Sequence, residues 1–160
     1  MNYSFYNYML IVQQEVLKAV IKKSLNIGYQ RDTENKVVFL ADPTGQSCFC
    51  IPENLFILDT SKLKEMSSLV DMYHTAAISG HSIKVTADIV QQGKTTQLRK
   101  LYDPENNVTI WINNKFLGYF KNNKDVMYNY FEFKNGKLVF AYDSRTFEVL
   151  GITTMQRPKE

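Results

Sequence analysis

The chain has 160 residues, 44% hydrophobic and 22% charged, an ordinary globular balance that excludes a disordered chain. Such a length suits one domain spanning 1–160, which buries about 70% of its unfolded surface and needs no covalent staples. A formal charge of +3, from 19 Lys and Arg against 16 Asp and Glu, is no polyelectrolyte signature, and two cysteines do not make a secreted disulfide scaffold.

The opening MNYSFYNYML lacks the basic start and long apolar run of a signal peptide. No apolar stretch approaches the ~20 residues that span a bilayer. A cytoplasmic protein with no membrane segment is expected. Tyr3–Tyr8 reads as a short strand or the first turn of a helix. From Met9 the period is helical: Met9, Val12, Val16, Ala19 and Val20 recur on one side, flanked by Leu10, Leu17 and Ile21. Gln14, Lys18 and Lys22 form a narrow polar stripe on an otherwise largely buried helix, which Asn26 and Gly28 end.

Strands are expected at Ile27–Arg31, Val37–Ala41, Ser47–Ile51 and Leu55–Leu58, between the turn-rich DTEN, DPTGQ and PEN. Ser61 is placed to cap a second helix with Leu63, Met66, Val70 and Tyr73 on one face, and TAAISGH reads as a loop. Next, Ile83, Val85, Ala87 and Ile89 alternate with polar residues and are expected to face the core. QQGK turns that strand into Thr95–Tyr102, DPENN leads to Val108–Ile112, and Asn113 or Asn114 caps a short helix bearing Phe116, Leu117 and Phe120. Val126–Phe133, Lys137–Tyr142 and Phe147–Met155 close the fold, and Asn135-Gly136 is the expected centre of a type I′ hairpin turn. QRPKE reads as a frayed tail.

Strand, helix and three or four strands thus recur at 3–58 and 108–155, as a repeat of order without residue identity. VTIWINNKFLGYFKNN, entering a helix, and the following YNYFEFKNGKLVFAYDSRTFEVLGITTMQ resemble the second half of a bacterial DNA sliding-clamp segment. LIVQQEVLKAVIKKSL and KVVFLADPTGQSCFCIPE are similar to the first helix and the strands after it. The resemblance covers most of the chain through apolar and turn residues rather than an invariant set. Ser61–Gly80 has no counterpart in it, and the chain has room for one of a clamp subunit's three segments. It implies an α+β fold of two strand–helix–three-strand units, with antiparallel sheets and the helices on one face. It also implies a non-enzymatic protein that contacts duplex DNA through those helices, with other replication proteins or further copies of itself as partners.

Lys18 and Lys22 are the candidate phosphate contacts, as mobile point charges that fix no register, and Lys115 and Lys121 extend them. A solvated face with Glu15–Lys18 pairing explains the same stripe. Cys48 and Cys50 share a strand face and, with His74 and His81, hold the right atoms for zinc, but their spacing matches no familiar ligand pattern. No metal or cofactor is expected. Ser79, His81 and Ser82 lack a nucleophile elbow, and Asp42, Asp88, Asp103, Asp125 and Asp143 are scattered, four of them in turns. Trp111 is expected in the core or at a subunit interface. The leading expectation is weak, non-specific duplex contact. The alternative is a protein–protein interaction module of a mobile element or phage that keeps the fold without binding DNA.

Overall fold

The computed structural model describes residues 6–22, 27–121 and 123–159. Helix α1 (Asn7–Ile21) leads into β1 (Gly28–Asp32), β2 (Val37–Ala41) and β3 (Ser47–Pro52). Two 3-10 turns (Glu53–Leu55 and Thr60–Lys62) and the strand β4 (Lys64–Glu65) precede helix α2 (Leu69–Ser79). Strands β5 (His81–Ser82), β6 (Lys84–Gln92), β7 (Thr96–Asp103) and β8 (Val108–Asn113) follow. Helix α3 (Asn114–Gly118) then leads to β9 (Val126–Phe133), β10 (Gly136–Asp143) and β11 (Val149–Thr154). The class is α+β. The large sheet runs β4-β1-β2-β3-β11-β10-β9-β5 and the small one β6-β7-β8. Among the described residues only β4 pairs parallel, with β1.

Alternation along the central strands decides the layers. Leu40, Phe49, Ile51, Val139, Ala141 and Leu150 point to one face, where they meet Val12 and Val16 of α1, Phe116 of α3, and Leu101, Ile110 and Ile112 of the small sheet. Their neighbours Phe39, Cys48, Phe131, Phe140 and Ile152 point to the other face, under Leu69, Tyr73 and Ala76 of α2. Both faces of these strands are apolar, so both need a cover. The expectation of helices on one face therefore holds for α1 and α3 and fails for α2.

Phe49 is the centre of the first layer. It is fully buried, with ring centroids 4.6 Å from Tyr119, 5.9 Å from Phe116, 6.1 Å from Tyr8 and 6.2 Å from Phe120. Gly151, paired with it across the strands, makes room: a Cβ there would lie 2.8 Å from the Phe49 ring.

Several expectations are corrected by contacts between distant segments. Leu55–Leu58 forms no strand; a 3-10 turn gives way to an extended segment tied to α1. The second helix begins at Leu69 rather than Ser61, because the amides of Lys64 and Met66 donate to Ile27 and Tyr29 in the parallel pairing with β1. Thr75–Ser79, read as loop, is helical, and His81 lies in a strand. The β9–β10 turn is centred on Lys134 and Asn135, both at positive φ, with Gly136 already paired to Phe133. A turn centred on Asn135-Gly136 would slide β10 along β9 and set Val139 opposite exposed Glu132 instead of Tyr130. Residues Tyr3–Phe5, Lys23 and Asn26 of the expected first elements lie outside the described residues.

The facing of the 83–89 strand is also overturned. The hairpin with β7 forms, and Ile83 is buried, but Ala87 is exposed and Val85 and Ile89 are 41% and 44% exposed. Val85 pairs Leu101 and Ile89 pairs Arg99, so four steps on β6 oppose two on β7, a bulge in an edge strand. The Thr86 hydroxyl donates to the Lys100 carbonyl at 2.8 Å, and Arg99 donates to the Thr86 carbonyl at 3.1 Å, fixing it. Val85→Asp is accordingly expected to change stability by about 0.5 kcal/mol or less. A thermal melt checks this; a fall of many degrees would put Val85 back in the core.

Candidate functional site

Helix α1 buries Tyr8, Met9, Val12, Gln13 and Val16. At 100° per residue these span one side, and the outward arc divides into two unlike flanks. On one flank stand Leu10, Leu17 and Ile21, which are 48%, 49% and 71% exposed. This corrects the reading of α1 as buried apart from a polar stripe. On the other flank lie Ile11, Glu15, Lys18 and the C-cap Lys22.

Gln13 builds the first flank outward. Its side-chain amide donates to the Leu55 carbonyl and the Met9 carbonyl, each at 3.1 Å, and its oxygen accepts from the Ile57 amide at 2.8 Å. Phe56 and Leu58 turn into the core, so Leu55 and Ile57 turn out, 41% and 71% exposed. Gln13 at 220° on the wheel sits next to Leu17 at 260°, so the held segment continues the apolar flank. Leu10, Leu17, Ile21, Leu55 and Ile57 are half of the exposed large hydrophobics among the described residues. A patch of this kind on a folded domain marks a contact surface more often than chance.

The other flank faces α3. Lys115 pairs with Glu15 at 3.0 Å, and the Tyr119 hydroxyl donates to the same Glu15 oxygen at 2.7 Å. Burial and the Glu15 carboxylate push the Tyr119 phenol up, so it stays a donor. Of the four candidate lysines, Lys18 and Lys22 are exposed and make no ion pair among the described residues. Lys121 is exposed just beyond α3, and Lys115 is taken up by Glu15. Glu15 thus holds α3 rather than pairing with Lys18. Lys94, which the sequence did not single out, lines a cleft of about 560 Å³ with Glu15, Lys115 and Asn114.

The remaining candidates resolve into structure. Cys48 and Cys50 do share the α2 face, and no three His, Cys, Asp or Glu side chains converge among the described residues. Ser79 donates to the Thr75 carbonyl at 2.6 Å, and the His81 ring lies 5.4 Å from that of Tyr130, so no nucleophile–base pair forms. Asp42, Asp103 and Asp143 each open a hairpin turn and accept from amides within it. Asp32 opens another. The Tyr130 hydroxyl and the Asn106 amide hold the Asp103 carboxyl below the usual range, and Arg145 does the same for Asp143. These are turn aspartates, with Asp125 and Asp88 in surface ion pairs. Trp111 is half-buried, its carbonyl accepting from the Gln156 amide at 2.7 Å.

No family model matches the chain, and neither the curated proteins nor the solved structures contain a match to it. Among the described residues no helix is long and apolar enough to cross a membrane.

Proposed function

We propose that this domain is a non-catalytic protein-interaction module whose working surface is the apolar flank of α1 extended by Leu55 and Ile57. The observation that carries the reading is the Gln13 clasp, which holds two further apolar side chains outward beside three already exposed. The occupant is a segment of another protein that is apolar on one side and acidic along its edge. Lys18 and Lys22 stand beyond Gln14 from the patch and make no ion pair among the described residues, so an acidic edge that crosses the helix gains both contacts, whereas a second copy docked helix to helix would bring like charges together.

A second reading has its own support. Glu15 of α1 bridges to Lys115 of α3, and Lys18, Lys22, Lys94 and Lys121 are exposed on α1, at the cleft beside that bridge or just past α3. That arrangement suits weak, register-free contact with duplex DNA by clamp-like strand–helix–three-strand units, with Kd about 10⁻⁴ to 10⁻⁶ M. Exposed Leu17 and Ile21 on the same helix favour the protein partner, because phosphates offer them nothing.

Anisotropy with a labelled amphipathic peptide, leucine-faced and flanked by Glu, tests both. The Glu-flanked peptide is expected to bind about tenfold tighter than its Lys-flanked twin. Leu17→Asp should remove binding with an unchanged melt, and Lys18→Glu with Lys22→Glu should abolish the preference between twins. Duplex DNA bound through the lysines but indifferent to Leu17→Asp would overturn the reading. So would a dimer in sedimentation that Leu17→Asp dissolves.

A further inference from the structure

The centre of the large sheet is not closed along its whole length. Strands β3 and β11 pair at Ser47–Thr153, Cys48–Ile152 and Phe49–Gly151, and there the ladder stops. Cys50 and Leu150, next in line, part, and a cleft of about 530 Å³ opens between them. A cavity of this size is in the range of small-ligand sites.

Aromatic side chains enter the seam from both layers. Tyr8 comes from α1, its hydroxyl donating to the Cys50 carbonyl at 3.3 Å, and Tyr73 comes from α2, donating to the Cys48 carbonyl at 3.4 Å. Phe147 forms the rim. It holds a φ of 64°, which is costly for a bulky residue, and leaves its ring 75% exposed. An observed outlier of this kind, at the lip of a cleft, points to a use for the ring.

The charge lining the seam is negative. Asp32 and Glu148 stand against the single ammonium of Lys36, with His74 3.9 Å from Asp32. The Asn35 amide holds the Asp32 carboxyl below the usual range, so it is ionised. Glu148 is exposed where it lines the cleft, and it makes no ion pair among the described residues. Burial pushes the Cys50 thiol up to about 12, and the Glu148 and Asp32 carboxylates add to the shift. Aromatic faces with a carboxylate close by are the combination that desolvates and holds an organic cation.

We infer that the β3–β11 seam is a binding site for an organic ammonium group carried on an apolar body, with Glu148 as its counter-ion and Phe147 as its outer wall. The ammonium could come from a free amine or from a basic side chain of another protein. The site is separate from the α1 flank and does not depend on that assignment.

Titration of ¹⁵N-labelled protein with benzylammonium, benzyl alcohol and benzoate tests it. Benzylammonium is expected to bind about tenfold tighter than benzyl alcohol, with shifts at Cys50, Phe147 and Val149, and benzoate to bind weakest. N-acetyl-lysine amide binding tighter than benzylammonium would assign the natural source to a protein side chain, and weaker to a free amine; either supports the class. Glu148→Gln, an exposed change, should erase the preference for the cation with the melt unchanged. Phe147→Gly should weaken cation and alcohol alike while keeping the melting temperature, because glycine accepts the left-handed backbone. Benzoate binding as tightly as benzylammonium would overturn the inference. A preference that survives Glu148→Gln, or shifts that fall elsewhere, would do the same.

Discussion

Phe49→Ala is expected to destabilise the domain by about 3–5 kcal/mol, the usual cost of emptying a buried aromatic site. The reason lies in what the ring joins. Phe49 touches Tyr8 of α1, Phe116 of α3, and Tyr119 and Phe120 just beyond it, and it lies over Gly151 of β11. No single neighbour can close the space, because the rings are held from two directions, Tyr8 on α1 and the other three on α3 and the turn after it. Set against the 5–15 kcal/mol typical of whole domains, the loss is a large share. Urea unfolding measures it, and a loss below about 1 kcal/mol would mean that the neighbouring rings collapse freely into the gap.

Gln13→Leu comes second, at about 2–3 kcal/mol. Leucine keeps the packing volume but strands the Leu55 carbonyl and the Ile57 amide, whose partner at 2.8 Å disappears. The effect should be local as well as global. Hydrogen exchange at the Ile57 amide should rise towards the rate of an open chain, and binding of the Glu-flanked peptide should weaken with it. Protection at Ile57 that survives the substitution would show that another contact holds the segment.

Much of the scaffold was legible in the chain because its signals are local. Helix α1, the strands β1 to β3 and β7 to β11, and the Asn113 cap of α3, which accepts from the Lys115 amide at 3.0 Å, follow from period and turn chemistry. Exposure was less legible. Ile83 to Ile89 alternate like a half-buried strand, but nothing in the alternation says that a bulge follows or that the strand lies at an edge. The start of α2 was hidden because Lys64 and Met66 are held by Ile27 and Tyr29, far away in sequence. Leu17 and Ile21 look the same in a sequence whether they face a core or a partner. One signal was present: the apolar residues of α1 cover more of its circumference than one packed face can absorb. Gln13 gave none, since a buried glutamine is recognised only by its distant backbone partners.

The position of β11 bears on how the chain acquires its structure. It is the last strand among the described residues and stands in the middle of the large sheet, between β3 and β10. Until residues 149–154 are available, the β1–β3 and β9–β10 meanders have no shared edge. Each then presents unpaired backbone groups from an apolar strand, the kind of surface on which nascent chains aggregate. Pairing Cys48 with Ile152 closes a loop of about a hundred residues, and contacts so far apart form slowly. Strand β11 is therefore the keystone of the sheet, and the interval before it docks is when the two meanders are most exposed to chaperones and proteases.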